Sequence, residues 1–261
     1  MPIAMKPFAP ALLALALAAP VAAQEAKPPY RYRVALGPSA APRYPGADTY
    51  QLLPLVDVAR ARGDAPFAFE APDESFAIPI VSDKGFAIGP ALNFQNSRRA
   101  RDVGVAVPRV GATVELGGFV QYQLAPAFRL RTEVRKGLGG HRGLIADLGA
   151  DWIQRDGDRW LFSLGPRVTL IDDRFARAYF GVTPATAAST GLRRFDARGG
   201  LESVGATAGL IRQFGPRWGV YGYTRYDRLV DDAVRSPIVR GYGSRNQLSG
   251  GLALTYTFTR R

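Results

Sequence analysis

The residues that could do chemistry are few. His141, within Gly137-Leu138-Gly139-Gly140-His141-Arg142-Gly143, is the single imidazole in 261 residues, and the chain has no cysteine. A serine hydrolase needs an imidazole to take the hydroxyl proton and a third group to orient it, so any such site would have to be built on His141. No Gly-x-Ser-x-Gly elbow accompanies it. The glycine-rich surroundings point instead to a solvated loop histidine. Without cysteine there is no thiolate chemistry, and one histidine excludes a multi-histidine metal centre. The acidic pairs Asp172-Asp173 and Asp231-Asp232 offer hard oxygens of the kind calcium takes, but without EF-hand spacing. Arg174, Arg228 and Arg235 beside them point to loop solvation or ion pairing. Arg155-Asp156-Gly157-Asp158-Arg159 reads as a turn, and neither a P-loop nor a His-Glu-x-x-His zinc motif is present. The expectation is a noncatalytic protein, with no cofactor and no metal.

Arginine is more informative. Lys and Arg total 34 against 22 Asp and Glu, a formal net charge of +12, and the only lysines are Lys6, Lys27, Lys84 and Lys136. That balance suits nucleic acid, anionic lipid or an acidic polymer. Met1–Ala23 narrows the choice. Lys6 precedes an apolar stretch bounded by Pro10 and Pro20, and Val21 and Ala23 supply the small residues of a secretory signal cleaved after Ala23. Export argues against nucleic acid. The planar guanidinium fork matches phosphate, so Arg98, Arg99 and Arg101, clustered in a long loop, are candidates to contact lipopolysaccharide phosphates. Simple solubility accounts for them equally well. Arg129, Arg131, Glu133 and Arg135 alternate with Phe128, Leu130 and Val134. They form a charge ladder that either fills and stiffens an interior or guides an anionic solute.

That ladder belongs to a wider pattern. After Ala23, period-two alternation recurs and no stretch is long and apolar enough for a membrane helix. The clearest runs are Tyr30–Leu36, Phe86–Phe94, Val110–Tyr122, Phe128–Leu138 and Gln247–Phe258. Weaker ones lie at Leu52–Val58, Phe67–Glu70, Phe76–Val81, Leu144–Gln154, Trp160–Ile171, Val204–Phe214 and Trp218–Tyr226. About twelve strands result (roughly ten to fourteen), which satisfies the even count of a bacterial outer-membrane barrel. Aromatics gather at strand ends, and short connections such as Ser82–Gly85 and Leu124–Ala127 alternate with long ones such as 95–109, 172–202 and 228–245. A sandwich gives no reason for that asymmetry, whereas a barrel with short periplasmic turns and long extracellular loops does. The fold expected is all-β: an up-and-down antiparallel transmembrane barrel over 24–261 as a single domain, with both termini periplasmic.

The later half carries a resemblance. Tyr179-Phe180-Gly181-Val182 is followed by Ser189-Thr190-Gly191-Leu192, Gln213-Phe214, Trp218-Gly219-Val220-Tyr221-Gly222 and Arg225-Tyr226-Asp227-Arg228-Leu229. Asp231-Asp232, Ser236-Pro237-Ile238-Val239 and the closing strand Leu252–Phe258 complete the order, with looser matches at Tyr44-Pro45-Gly46 and Phe86–Phe94. In this order and spacing the chain resembles the MipA/OmpV family of outer-membrane proteins. It departs at the close, where Phe258 is followed by Thr259-Arg260-Arg261 in place of a final aromatic. The resemblance implies a noncatalytic scaffold that links a murein lytic transglycosylase to a peptidoglycan synthase, or else a surface adhesin or antigen. It transfers no site residue. A small-solute channel and, less favoured, a lipid A-modifying barrel enzyme are the rival functions.

Overall fold

The computed structural model describes residues 28–260, so the expected signal segment Met1–Ala23 lies outside the described residues. Twelve strands form one antiparallel sheet. Ten are long: β1 (Tyr30–Pro42), β2 (Tyr50–Arg62), β5 (Phe86–Gln95), β6 (Thr113–Ala125), β7 (Phe128–Gly139), β8 (Leu144–Asp156), β9 (Trp160–Ile171), β10 (Gly200–Gln213), β11 (Trp218–Leu229) and β12 (Asn246–Arg260). Two are short, β3 (Phe76–Ala77) and β4 (Val81–Asp83), and both lie on β5. The sheet runs β2-β1-β12 and then back through consecutive neighbours to β5 and β3, so the first and last long strands pair and curl the sheet into a barrel.

Alternation sorts the side chains as lipid requires. Along β7, Phe128, Leu130, Val134 and Leu138 are exposed on the outside, while Arg129, Arg131, Glu133 and Arg135 are buried inside. Leu52 is 81% exposed and Leu254 62%. Apolar surface left outward strand after strand has no place in water, but it is the lipid-facing belt of a transmembrane barrel, in which pairing between strands satisfies the backbone. Aromatics mark one rim, where Tyr32 stacks on Phe258 at 5.6 Å and Trp218 lies 4.8 Å from Tyr256.

Short turns close that rim, the turn end. Lys84 and Gly85 take φ of 46° and 85° between β4 and β5, the doubly positive φ that matches a two-residue hairpin to strand twist. Long connections gather at the opposite, helical end. They hold α1 (Ala100–Val103), α2 (Asp173–Phe180), α3 (Pro184–Thr190), α4 (Asp231–Arg235) and α5 (Pro237–Tyr242). Thr183 and Ser236 cap α3 and α5, each followed by a proline in the first turn, where a missing N–H costs nothing.

The wall departs from expectation in one place. Phe67–Glu70 is not a wall strand, and β2 runs on to Arg62, beyond the expected end at Val58. Residues 63–75 climb from the turn end inside the barrel, and the chain then descends through β3 and β4 against β5. Pro66 and Pro72 flank the short alternating run, and each removes a donor that a wall strand needs. The expected strand Phe76–Val81 is split, with Ile78 and Ile80 still donating to Pro90 and Ile88 of β5. Because the climbing segment turns inward, no backbone hydrogen bond among the described residues joins β2 to β3, β4 or β5. A seam is left there, and at its helical end Asn96 Nδ2 donates to Gln51 Oε1 at 3.0 Å.

Candidate functional site

The inward segment is fastened first at the turn end. Asp158, in the turn between β8 and β9, accepts the Phe67 N–H at 3.0 Å, pairs with Arg31 at 2.9 Å and with Arg155 at 3.2 Å. Arg155 in turn donates to the Phe67 carbonyl at 2.9 Å. The Phe67 ring is buried under the guanidiniums of Arg31 and Arg33, 5.0 and 4.9 Å from its centroid, and Phe69 lies 4.4 Å from that of Arg129. Cation–π contacts of this kind strengthen as water is removed. Beside them Ala35, Ile153, Leu161, Ile211, Tyr221 and Ala253 make a small apolar core that also takes in Leu55 and Phe69.

Above that plug lies the charge ladder. All four expected residues face the lumen, and every guanidinium among them is engaged. Arg129 pairs with Asp151 at 2.7 Å and with Glu74 of the inward segment. Arg131 pairs with Glu133 at 2.9 Å and reaches Glu74 at 3.6 Å. Arg135 is held by Glu115 at 3.0 Å, by Asp147 at 2.8 Å and by Glu133. Asp73, also inward, accepts from Arg167 at 2.7 Å, Arg225 at 3.2 Å and Thr207 at 2.9 Å, and Arg167 pairs with Asp151 at 2.7 Å. Asp73, Glu74, Glu115, Glu133, Asp147, Asp151, Glu202 and Asp227 outnumber Arg129, Arg131, Arg135, Arg167 and Arg225. An anion would therefore meet no free guanidinium on the ladder, and the ladder as a guide for an anionic solute is not what the geometry offers. It is a cross-linked network that fills the interior, and removing one partner would strand buried charge.

The helical end is sealed differently. Tyr44, Phe175, Tyr179, Phe180, Val182, Leu229, Ile238 and Val239 centre an apolar cluster across the loops and short helices. Two expectations need correction here. Arg98 is only 1% exposed, unlike its exposed neighbours Arg99 and Arg101. Its Nη1 donates to the Tyr179 carbonyl at 2.7 Å and its Nη2 to that of Pro108 at 2.9 Å. Tyr179 lies in the last turn of α2, where the helix dipole favours a cation. Turned inward between the Tyr44 and Tyr179 rings, Arg98 cannot reach a lipid phosphate, and burial pushes its guanidinium below its ordinary value.

His141 is not a solvated loop residue either. Its ring is fully enclosed, packed edge-on to Phe175 at 4.8 Å. Gly143 N–H donates to Nδ1 at 3.0 Å, which assigns the proton to Nε2, and Nε2 donates to Glu115 at 3.1 Å. A Cβ at Gly137 would stand 2.3 Å from the ring, so Gly137 makes room for the imidazole. With both nitrogens engaged and no opening to the ring, the geometry offers a substrate no base.

Asp172, Asp173 and Asp232 serve structure. Asp172 caps α2 by accepting the Phe175 N–H at 2.9 Å. Asp173 accepts the Gly199 N–H at 2.8 Å, which holds its carboxyl below the ordinary carboxylate value. Asp232 accepts the Arg198 N–H at 2.8 Å and pairs with Arg235.

The family model described as "MltA-interacting protein MipA" matches residues 34–258. The chain belongs to the MipA family. The match runs from β1 to β12, so the inward segment, the network and the cap all lie inside the MipA-family region. No curated protein matches the sequence. Among solved structures, the chain is similar to an outer-membrane channel from Pseudomonas putida F1, with 10% identity, a TM-score of 0.38 and coverage of 88% of this chain and 96% of that one. It is also similar to the N-terminal β-barrel domain of Pseudomonas aeruginosa OprF, with 14% identity, a TM-score of 0.27 and coverage of 67% and 98%. The outer membrane protein OprG of Pseudomonas aeruginosa matches at 8% identity, with a TM-score of 0.26 and coverage of 90% and 98%. Membership of the MipA family rests on the match over 34–258, and the fold on the strand order.

The partners of the ladder were not legible in the sequence. Asp73 and Glu74 sit in Pro72-Asp73-Glu74-Ser75, which looks like solvated loop chemistry. The one available signal was a pair of carboxylates between two strand-like runs in a chain whose interior was expected to carry arginine.

Proposed function

We propose that this protein is a noncatalytic scaffold of the bacterial outer membrane that holds murein enzymes at the envelope. The observation that carries the reading is the closed lumen. Segment 63–75 is pinned into one half of the barrel by Asp158, Asp73 and Glu74, and the other half lies beneath the helical end's apolar cluster. A barrel filled in this way keeps its outer and end surfaces for work. The family's description names an MltA interaction, so a murein lytic transglycosylase is the partner expected here, with a peptidoglycan synthase joined to the same complex. In this reading the turn end faces the periplasm and the helical end the exterior. There Arg99 and Arg101 contact lipopolysaccharide phosphates, and reversing both charges lowers lipopolysaccharide co-purification.

The test is a pull-down from solubilised envelopes with the tagged full chain. Recovery of a murein lytic transglycosylase supports the scaffold, and its consistent absence contradicts it. A second reading, a gated small-solute channel, is favoured by the cavity left under the cap. Steady single-channel currents from the unmodified protein would decide for it. Silence in both assays would favour a surface adhesin, and altered lipid A in cells carrying the protein would revive an enzyme.

A further inference from the structure

One part of the interior is not filled. Between the ladder and the helical end lies a cavity of about 280 Å³, close to the lower end of small-molecule sites, roughly 300 Å³. Its wall is acidic. The two guanidiniums that line it, Arg135 and Arg225, are already committed, the first to Glu115, Glu133 and Asp147, the second to Asp73 and Asp227.

Glu202, near the start of β10, is the exception to the pairing. It is 7% exposed and lines the cavity, yet among the described residues no ion pair or hydrogen bond reaches its carboxylate. Its backbone carbonyl accepts the Val230 N–H. A buried carboxylate without a partner is costly. It is relieved by a proton or by a cation placed in the adjoining space.

The rest of the wall favours the cation. Asp147 and Asp227 line the same cavity, and carboxylates at low dielectric focus a negative potential into it. Neutral acceptors on Asn93, Gln95, Gln247 and Ser249 also line it. Among the described residues no group of acidic or histidine side chains converges closely enough to hold a metal ion. Spread acceptors suit the several N–H donors of an ammonium group better than the tight shell of a metal.

We propose that this cavity binds a small organic amine in its protonated form, with Glu202 as the anchoring carboxylate. The site is independent of the scaffold function and stands or falls by itself.

Calorimetric titration of the full chain, folded in detergent or nanodiscs, tests it with 1,4-diaminobutane as the probe and 1,4-butanediol as the uncharged control. The result expected is saturable one-to-one binding of the diamine and none of the diol. Glu202→Gln should weaken binding by about tenfold or more, the loss of one charge-assisted hydrogen bond, and Glu202→Asp should restore part of it. Arg159→Ala, exposed in the turn between β8 and β9 and outside the cavity, should change nothing. Should Glu202→Gln fail to fold, thermal unfolding of the unmodified protein decides, since the diamine and not the diol should raise its midpoint. Absence of diamine binding, equal binding by Glu202→Gln, or equal stabilisation by the diol would each overturn the proposal, leaving Glu202 as a carboxyl that merely keeps its proton.

Discussion

The two ends of this barrel are closed by different physics. At the turn end and mid-lumen, closure is polar. A thirteen-residue stretch, 63–75, brings Asp73 and Glu74 to guanidiniums that the wall has already placed, and Asp158 ties its root. At the helical end, closure is apolar, with Phe175, Tyr179, Phe180 and Ile238 packed beneath short capped helices. The polar closure depends on pairing that must be complete, because each buried ion costs several kcal/mol if stranded. The apolar closure depends on volume, and each missing methylene leaves a cavity. One interior can hold both because the strands deliver arginine to the middle of the lumen while the long connections deliver aromatics to the cap.

Breaking the polar side at its centre should have the largest effect. Asp73→Ala takes one carboxylate partner from both Arg167 and Arg225, leaving them only Asp151 and Asp227, and should cost about 3–5 kcal/mol, read as a lowered unfolding free energy in micelles by tryptophan fluorescence. Phe175→Ala attacks the apolar side and should cost about 3–5 kcal/mol, with amide exchange rising in α2 and around His141 and not in β7. That regional difference sharpens the comparison, since Asp73→Ala should loosen 63–75 and spare the cap. Asp158→Ala should cost less, about 1–2 kcal/mol, since its pairs are partly solvated. Added salt should reproduce part of that loss, while leaving the deeper Asp73 pairs nearly untouched.

The smallest effect concerns Asp173. Its carboxyl is held below the ordinary value chiefly by the Gly199 N–H, so its contribution is present above the unfolded value of about 3.9 and fades as the pH falls below it. Asp173→Asn should flatten that acid limb in a thermal-unfolding series against pH.

Much of this was legible in the sequence. Phe128 to Leu138 stated both its faces, because a period of two leaves no other arrangement once the outside is lipid. The ladder residues were legible as lumen groups for the same reason. Their partners were not, since Asp73 and Glu74 come from a segment whose path depends on contacts with strands far away in sequence. Phe67–Glu70 alternates like a strand, and only Pro66 and Pro72 hinted that it would not pair. His141 was misread because glycine around a polar residue usually means an open loop, whereas Gly137 here yields its side-chain space to the ring. The short helices were not read from the sequence, although Thr183-Pro184 and Ser236-Pro237 each carry a cap followed by a first-turn proline. Their length, seven residues or fewer, was too short for a 3.6-residue period to show.

The central claim is that segment 63–75 closes the barrel. Planar-bilayer recording tests it directly in a background whose apolar cap is opened by Phe175→Ala and Phe180→Ala, comparing the intact segment with a variant in which residues 64–74 are replaced by a short glycine-serine link. The account predicts silence from the first and steady conductance from the second. Sustained currents with the segment intact, or no change when the segment is removed, would contradict it.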